Sequence, residues 1–359
     1  MAAGPPAPEV ITSDMPEPAS EFFTDLWKTS ISPQLRLAPD VDIHPVEHRL
    51  SSEVFQAESG GRSLILRWYS AEEPSRLKSY LEASDVFSDL GLRIPERIGE
   101  GSTPQGTWIL EKKVEGKSFR DLSGNLEAHS QAAKALALLH SHESRRYGKA
   151  GAWKGRYLSV RWKQRFHERW LKIRNLFPEL VDAEAETAHW FQDWCDAFAP
   201  SRYQLLHGDY HPGNLILGQD GQVVFLDFRS PRYGFGLVEM VEAAHSFCGE
   251  EPGDWNSFVP VYLEHRDKNT RDLDAHFATS IHAVFHLRQA DRFSDLAVGR
   301  KGTRQDHRRW VSNALDSWQR FCDLAGIVSP LIDGSSETAF PCRVKSSPGL
   351  MNSAGAVKS

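Results

Sequence analysis

Cysteine is scarce in this 359-residue sequence, and its four copies stand far apart. They are Cys195, Cys248, Cys322 and Cys342. No two of them form a CxxC pair, and none has histidines at zinc-finger spacing, which argues against a disulfide scaffold or a structural zinc site. A chain without a disulfide framework is typical of a reducing compartment, so we expect a cytoplasmic protein.

Long apolar runs and a leader pattern are also lacking. No stretch approaches the ~18 uninterrupted apolar residues that a membrane helix needs. The N-terminus has no cationic segment ahead of an apolar run, and its acidic, proline-rich composition differs from that of a transit peptide. We therefore expect neither membrane association nor export.

An excess of positive charge is missing as well. The 48 acidic residues outnumber the 42 lysines and arginines, which gives a net charge of −6 and a pI near 6.2. A dedicated nucleic-acid-binding domain usually has a pI above about 9. The sequence predicts no nucleic-acid partner, and no feature in it calls for an obligate protein partner.

The two ends of the chain differ from its middle in composition. Residues 1–20 and 329–359 are rich in proline, serine, glycine and alanine and show little apolar periodicity. Such segments cannot bury enough surface to offset chain entropy, so we predict two disordered tails. The roughly 300 residues between them are enough for about two units of ordinary size.

Strand-like patterns dominate the first part of the middle region, residues 41–114. Two runs, residues 54–58 and 63–68, flank Ser59-Gly60-Gly61, a composition typical of a hairpin turn. In the second run Arg67 lies on the face opposite the more apolar side chains. A helix and a further strand are predicted to follow, at residues 74–90 and 107–113.

Helical patterns dominate the second part. Residues 126–140 form a strong helix pattern, and residues 250–328 look mainly helical. Between them an aromatic stripe has spacings of 4, 4, 3 and 4, which predicts one face of one helix that packs into the core. The stripe consists of Trp162, Phe166, Trp170, Ile173 and Phe177.

The segment from Leu205 to Phe228 carries the chemistry. It contains two short strands joined by a hairpin turn, and pairing residue 217 with 224 would place Asn214 opposite Asp227. Asp209 lies five residues before Asn214. Carboxylate and amide oxygens suit a hard cation such as Mg²⁺, which typically takes one or two carboxylates plus substrate phosphates.

A transition-metal site is the alternative interpretation of this segment. It would use His207, Asp209 and His211. The two histidines lie in a loop that contains glycine and proline, not on a helix that would align them on one face, so this interpretation is the weaker one.

The catalytic-loop pattern H-G-D-x-x-x-x-N is present as His207–Asn214, and Asp227-Phe228 follows after the hairpin. Together they resemble the aminoglycoside phosphotransferase and choline kinase-like family, over most of residues 40–325. The resemblance implies an α+β, bilobal protein-kinase-like fold with a small antiparallel-sheet N-lobe and a mainly helical C-lobe. The expected units are a nucleotide-binding lobe at residues 21–114 and a catalytic lobe at residues 115–328. Within the catalytic lobe, a helical substrate subdomain is expected at residues 151–200 and 250–328.

The resemblance also implies roles for these residues. Asp209 would accept or orient the proton of an acceptor hydroxyl, while Asn214 and Asp227 would hold Mg²⁺ on the phosphates of ATP or GTP. Phosphoryl transfer depends on in-line positioning and charge neutralisation more than on covalent chemistry. His207 would be structural and would orient the loop.

In the N-lobe, the resemblance places Arg67 towards the α- and β-phosphates, with Glu82 as its ion-pair partner and Glu72 and Glu73 as nearby alternatives. The Ser51-Ser52-Glu53 turn would lie over the phosphates. The stretch from Glu111 to Val114 would be the hinge that receives the adenine through backbone hydrogen bonds. No G-x-G-x-x-G motif is present, which the family generally lacks too.

Two positions after Asp227 depart from the family pattern G-D-P-x-x-D-L-A. Phe235 stands in place of the first Asp and Glu239 in place of the second, which would brace the catalytic loop. Arg229 and Arg232 would either engage an anionic group or be solvated.

The acceptor stays open between cationic and anionic or neutral compounds, because the C-lobe carries charges of both signs. An aminoglycoside would suit the acidic residues between Glu250 and Asp274, and an anionic or neutral sugar would suit the basic residues between Arg288 and Arg309. We predict a kinase acting on a small-molecule hydroxyl. The alternatives are a nucleotide-binding pseudokinase with a regulatory role and, less favoured, a protein kinase, since no A-P-E-like motif follows Asp227.

Overall fold

The first sheet has five antiparallel strands in the order β1-β2-β3-β5-β4. The computed structural model describes residues 17–49, 52–72, 74–149, 152–198, 200, 202–227, 231–249, 252–277, 280–299 and 303–328. The strands are β1 (Asp42–Arg49), β2 (Ser52–Ser59), β3 (Arg62–Ser70), β4 (Arg97–Thr103) and β5 (Gly106–Lys112). The predicted hairpin is confirmed, because β2 and β3 pair on either side of Gly60-Gly61.

The two faces of this sheet have different partners. Side chains alternate along each strand, so Leu66, Trp68 and Leu110 share one face. They pack against Phe23 and Trp27 of an N-terminal helical segment. That segment comprises α1 (Glu17–Leu26), a π-helical turn (Trp27–Ile31) and α2 (Ser32–Leu35).

The start of α1 corrects one boundary of the sequence prediction. Residues 17–20 belong to the helix and not to the predicted tail 1–20. The buried aromatic side chains of the helical segment, which cover the sheet, explain why the helix extends this far towards the N-terminus. The predicted tail 329–359 lies outside the described residues.

The opposite face of the sheet carries Arg67 and Glu111 and is met by α3 (Pro74–Asp89). This helix was predicted at 74–90. Beyond β5 the chain leaves the first sheet, because β6 (Gly116–Ser118) pairs with a strand of the catalytic segment.

Helices make up most of the remaining chain, with two small sheets between them. The strands are β7 (Glu143–Ser144), β8 (Tyr147–Lys149), β9 (Ala152–Gly155), β10 (Tyr203–Leu206), β11 (Leu215–Gly218), β12 (Val223–Phe225) and β13 (Arg232–Gly234). Their sheet orders are β7-β10-β13-β8-β9 and β12-β11-β6.

The helices of this part surround the catalytic segment. They are α4 (Leu126–His140), α5 (Leu158–Gln164), α6 (Phe166–Leu176), α7 (Glu184–Ala197), α8 (Gly236–Cys248), α9 (Val259–Glu264), α10 (Lys268–Phe277), α11 (Ser280–Val298) and α12 (Arg304–Ala325). Short 3₁₀ helices span Phe119–Leu122, Pro178–Ala183, Pro212–Asn214 and Pro252–Ser257. The predicted helix 126–140 is confirmed as α4.

The aromatic stripe does not lie on a single helix, which corrects the sequence prediction. The helix is interrupted between α5 and α6 at Arg165, whose ψ is 2°. Trp162 on α5 stacks on Trp194 of α7, whereas Trp170 on α6 contacts Trp318 of α12. Phe166 on α6 also packs against Phe191 of α7, and the interpretation as core packing is confirmed by the burial of the α6 members of the stripe.

The predicted fold class is confirmed: an antiparallel sheet precedes a mainly helical lobe in an α+β, bilobal kinase-like architecture. Within the described part of the chain, no helix combines the length and the apolar character needed to cross a membrane. The lobe and subdomain boundaries stay predictions.

Candidate active site

The catalytic loop runs from β10 to the 3₁₀ helix Pro212–Asn214. Its residue Gly208 has a φ of 86°, a left-handed conformation that favours glycine. This turn lets two successive amides, those of His207 and Gly208, donate to the Glu239 carboxylate at 3.0 and 2.6 Å. The half-buried Asp209 follows directly, so the Glu239 carboxylate fixes the backbone that presents it.

Asn214 closes the other end of the loop. It is fully buried, and its Nδ2 donates to the backbone carbonyl of Asp209 at 2.9 Å. The hydrogen bond assigns the amide nitrogen of this side chain to the loop. Asp209 and Asn214 are therefore held together, as expected.

Asp227 reaches the same place by a register that differs from the prediction by one residue. Strands β11 and β12 pair Leu217 with Val223 and Leu215 with Phe225, so Asn214 lies opposite Leu226 and not opposite Asp227. The hydrogen bond from the Leu226 amide to the Asn214 carbonyl, at 2.8 Å, continues this register.

The observed register follows from the turn. The amide of Gly218 donates to the carbonyl of Gln222 at 2.8 Å, so the hairpin loop is one residue shorter than the predicted pairing requires. Asp227, just past the paired residues, has a φ of 50°. This left-handed conformation is uncommon for a residue other than glycine, and such conformations cluster at functional sites.

Arg67 links the first sheet to Asp227. Its Nη1 donates to Asp227 Oδ1 at 2.6 Å, and its Nε donates to Glu111 Oε2 at 2.9 Å. The hydroxyl of Tyr80 on α3 donates to the second oxygen of Glu111, and the Tyr80 ring lies 5.2 Å from the guanidinium carbon. Arg67 is 6% exposed and Glu111 is 2% exposed, so this cluster is buried.

The Arg67 guanidinium keeps its charge in this cluster. Burial alone would lower its pKa, but the charge of Glu111 and the hydrogen bond to it raise the pKa above its ordinary value. Burial also raises the pKa of Tyr80, so its hydroxyl stays protonated and donates to Glu111. The cluster therefore presents a permanent cation beside Asp227.

The predicted pairing of Arg67 with Glu82 is wrong. Glu82 forms its ion pair with Lys149 of β8. Successive helical residues are rotated by about 100°, so Glu82 points about 200° away from Tyr80, the residue of α3 that faces the sheet. The carboxylate that holds Arg67 is Glu111, and strand pairing explains why. Arg67 pairs with Ile109 and Ile65 with Glu111, which puts Arg67 and Glu111 diagonally on one face.

The other four predicted nucleotide contacts have different outcomes. Ser51 lies outside the described residues, and Ser52 begins strand β2. The backbone of Glu111 pairs with β3 on one side and β4 on the other, which corrects its predicted role as a backbone hinge residue. Val114 lies in the coil between β5 and β6 and is half-buried.

A second buried network surrounds Glu239, which the sequence marked as the brace of the catalytic loop. His140 Nε2 lies 3.0 Å from Glu239 Oε2, and His140 Nδ1 lies 2.8 Å from the hydroxyl of Tyr262. Burial lowers the pKa of His140, so a neutral ring donates to Glu239 and accepts from Tyr262. Burial alone would raise the pKa of Glu239, but the hydrogen bond from His140 and the Gly208 amide keep it below its ordinary value.

His207 packs within the core of this lobe. Its ring contacts Phe87, Tyr210 and Phe225, and burial lowers its pKa to about 4. The expected structural role of His207 agrees with these contacts. The described residues contain no group of three or more His, Cys, Asp or Glu side chains that could hold a metal by themselves.

The donor set fits Mg²⁺ better than a transition metal. The backbone pairing described above places Asn214 and Asp227 at the same end of the hairpin, and each carries a side-chain oxygen. Hard oxygen ligands that are few in number suit a cation that completes its shell with substrate phosphates and water. Arg67, which touches Asp227, would add a positive charge for the same phosphates.

These geometries define the class: a small-molecule kinase of the protein-kinase-like fold. The chain belongs to the phosphotransferase enzyme family (APH), whose profile matches residues 42–272. No curated protein matches it significantly.

Solved structures show the same fold at low sequence identity. Ethanolamine kinase from Plasmodium vivax aligns at 11% identity and a TM-score of 0.57, over 86% of this chain and 89% of that one. The aminoglycoside phosphotransferase APH(4)-Ia aligns at 16% identity and a TM-score of 0.56, over 88% and 100%. Spectinomycin phosphotransferase APH(9)-Ia aligns at 12% identity and a TM-score of 0.52, over 85% and 97%.

Proposed function

We propose that this protein transfers the γ-phosphoryl group of ATP or GTP to a hydroxyl group of a small molecule, with Mg²⁺ as the metal. The observation that carries the proposal is a set of three contacts. Arg67 donates to the Asp227 carboxylate, the amide of the neighbouring Leu226 donates to the Asn214 backbone carbonyl, and Asn214 Nδ2 donates to the Asp209 backbone carbonyl. These contacts hold a buried cation, the two proposed metal ligands and the proposed base on adjoining segments of the chain.

Each residue has one task in this reaction. Asp209 accepts the proton of the acceptor hydroxyl. At the same time the hydroxyl oxygen bonds to the γ-phosphorus, and the bond between the γ-phosphorus and the β–γ bridging oxygen breaks. Asn214 and Asp227 hold Mg²⁺, which neutralises phosphate charge when bound. Arg67 contacts the phosphates, with its direction fixed by Glu111. The coil around Val114, next to β5, is our candidate for the adenine contact.

Structural neighbours support a nucleotide as the donor. Spectinomycin phosphotransferase APH(9)-Ia was solved with ADP and spectinomycin, and variants of APH(4)-Ia were solved with ADP or AMP-PNP and hygromycin B. A comparable pair of ligands, a nucleotide and a small hydroxyl compound, is what we propose for this chain.

The test is an acceptor panel with three proteins: wild type, Asp209→Asn and Asp220→Asn. Asp220 is a matched control, because it lies exposed in the hairpin turn and pairs with Arg93. The panel contains neutral sugars, amino sugars, aminoglycosides and choline-like alcohols. ADP release and the mass of the acceptor are measured together.

We expect Asp209→Asn to lower kcat by about 10³-fold, the usual size of a lost general base, and Asp220→Asn to keep wild-type turnover. The proposal fails if nucleotide binds with Mg²⁺ but no acceptor is phosphorylated. That outcome would favour a regulatory nucleotide-binding protein. Equal turnover by wild type and Asp209→Asn would remove Asp209 from the mechanism.

A further inference from the structure

Arg266 is a buried cation in the short connection between α9 and α10. Its side chain is 1% exposed, its Nη2 donates to Glu143 Oε1 at 3.3 Å, and its Nε lies 3.8 Å from Asp274 Oδ2. The guanidinium carbon lies 5.7 Å from the centre of the Tyr262 ring. Burying a charge is costly unless it is paired, so the two carboxylates and the ring set the position of this cation.

One path of contacts leads from Arg266 to the start of α8 through Glu143. The oxygen of Glu143 that accepts from Arg266 also accepts from Gln204 Nε2 at 3.2 Å. Gln204 Oε1 in turn accepts from the amide of Gly236 at 3.0 Å. Gly236 is the first residue of α8, whose first turn carries Glu239. The start of this helix is therefore held by a side chain that Arg266 helps to fix.

A second path leads to Glu239 itself through Tyr262. The hydroxyl of Tyr262, whose ring lies beside the guanidinium, donates to His140 Nδ1 at 2.8 Å. His140 Nε2 donates to the Glu239 carboxylate at 3.0 Å. Each of these three side chains belongs to a residue that is at most 5% exposed. In a buried polar network whose members are bonded to one another, the hydrogen bonds strengthen each other and make the arrangement rigid.

The two paths meet at Gly236. A Cβ atom there would lie 2.9 Å from His140 Nδ1 and 2.9 Å from Gln204 Cβ, so only glycine lets both side chains approach α8 without a shift. Such close packing passes a displacement of either side chain to the turn that carries Glu239. Glu239 in turn accepts the two amides directly before Asp209.

We propose that Arg266 is a positioning residue for phosphoryl transfer, which holds Glu239 in place and thereby the catalytic loop that presents Asp209. The proposal rests on the proposed function, because it concerns the same reaction. Arg266 acts through other side chains, not by contact with the reacting groups. The planar fork of arginine can serve two carboxylates and an aromatic ring together, which the point charge of a lysine cannot.

The cluster around Arg266 has two carboxylates for this one cation. Burial raises the pKa of Asp274 to about 7 against the opposing charge of Arg266, and Glu143 and Asp267 add to the rise. Without Arg266, Asp274 would therefore take up a proton at neutral pH, and the largely buried Glu143 would lose its closest cation. Because such a charge destabilises the fold by itself, the variant that removes the cation combines Arg266→Gln with Glu143→Gln. This double variant keeps an acceptor oxygen for Gln204.

The first test is amide hydrogen exchange of the full chain, which does not depend on turnover. It compares the peptides that contain the amides of His207 and Gly208 with those of β3 and β5 in the first sheet. Arg266→Lys and the double variant should speed exchange of the loop peptides about tenfold, the size of about one lost hydrogen bond, and leave β3 and β5 within about twofold. Arg271→Gln is the matched control and should behave like wild type, because this nearby arginine of α10 has a side chain that is 41% exposed.

The second test is steady-state turnover with the best acceptor of the panel. Arg266→Lys should lower kcat about tenfold and leave KM for ATP within about threefold, since the nucleotide side of the site is untouched. Tyr262→Phe cuts one of the two paths and should lower kcat about threefold. In a Glu239→Ala background, Arg266→Lys should lower kcat by less than about twofold further, because both substitutions act through the same carboxylate.

Three results would overturn the inference. Loop exchange could stay unchanged in both Arg266 variants, or loop and sheet peptides could exchange faster by the same factor, which is the signature of general destabilisation. The third is that the kcat losses of Arg266→Lys and Glu239→Ala multiply in full.

The outcomes also separate this inference from the proposed function. If wild type phosphorylates no acceptor but loop exchange responds to Arg266 as described, the proposed function fails and the hold of Arg266 on the loop stands. If wild type is active and neither exchange nor kcat responds to Arg266, this inference alone fails.

Discussion

Two buried glutamates organise the two lobes, and they do so by different means. Glu111 is 2% exposed and holds a side chain, the charged guanidinium of Arg67, with help from the Tyr80 hydroxyl. Glu239 is 5% exposed and accepts hydrogen bonds from two backbone amides, those of His207 and Gly208. A neutral His140 donates to the same carboxylate.

The difference separates the tasks of the two lobes. The Glu111 cluster aims a cation that would touch nucleotide phosphates, so damage to it should affect nucleotide binding first. The Glu239 cluster sets the path of the loop that presents Asp209, so damage to it should affect the chemical step first. We expect the largest effects on kcat and stability from substitutions in the Glu239 cluster, which positions the backbone of the catalytic loop.

Glu239→Ala should have the largest effect. Two amides and the His140 ring lose their common acceptor, which costs about 3 kcal/mol of unfolding free energy. A shift of Asp209 by about 1 Å would lower kcat about 100-fold, while KM for ATP should change less than about threefold. Steady-state kinetics and chemical denaturation measure both effects.

Glu239→Gln is the matched control for this prediction. It keeps one acceptor oxygen, so its kcat should fall between those of wild type and Glu239→Ala. A large rise in KM for ATP with unchanged kcat in Glu239→Ala would contradict the division of tasks between the lobes.

Glu111→Gln should show the opposite split. Without the carboxylate charge the guanidinium loses its charge-assisted partner, and we expect KM for ATP to rise about tenfold with a smaller change in kcat. Glu100→Gln, an exposed carboxylate on β4, serves as the control. If Glu111→Gln lowered kcat and left KM for ATP unchanged, Arg67 would not be the phosphate contact.

His207, which packs beside the catalytic loop, should make the protein less stable in acid. The pKa of His207 is about 4 in the folded protein and about 6.5 when unfolded. Between these values the unfolded chain binds more protons, so stability is lost as the pH falls from about 6.5 to 4. For His207 alone the loss from pH 7 to pH 5 is about 2 kcal/mol.

His207→Gln isolates this contribution, because the other titrating groups stay in both proteins. These include Asp274, whose pKa burial raises to about 7 and whose effect has the opposite sign, and His286, whose pKa burial lowers to about 3. From pH 7 to pH 5, the unfolding free energy of His207→Gln should fall by about 2 kcal/mol less than that of wild type. Parallel pH profiles for both proteins would show that His207 is not a buried neutral ring.

Glu82→Gln should have the smallest effect. Its partner is Lys149 and both side chains are partly exposed, so the ion pair contributes less than about 1 kcal/mol. We expect KM for ATP and kcat to stay within about twofold of wild type. A rise in KM for ATP as large as that of Glu111→Gln would restore Glu82 as the partner of Arg67.

The sequence identified residues whose roles are local. His207–Asn214 and Asp227 form a pattern of fixed spacing, and the turn at Gly60-Gly61 and helix α4 have strong local preferences. For the same reason the brace at Glu239 could be inferred from its place in the pattern after Asp227.

Residues that meet through long-range pairing were missed. Glu111 reaches Arg67 only because β3 and β5 pair in one particular register, which a single strand pattern does not reveal. His140 and Tyr262 lie on two different helices and are 122 residues apart in the chain. The hairpin after Asn214 was misjudged by one residue because the loop length, which sets register, depends on how Gly218 and Gln222 close the turn.

Nucleotide binding with and without Mg²⁺, compared between Asp227→Asn and Asp209→Asn, tests the central claim most directly. Asparagine tolerates the left-handed backbone at residue 227. We predict that Asp209→Asn binds ATP with Mg²⁺ within about threefold of wild type but transfers phosphate about 10³-fold more slowly. Asp227→Asn should lose the Mg²⁺-dependent part of ATP affinity. Wild-type Mg²⁺-dependent binding by Asp227→Asn would contradict the account.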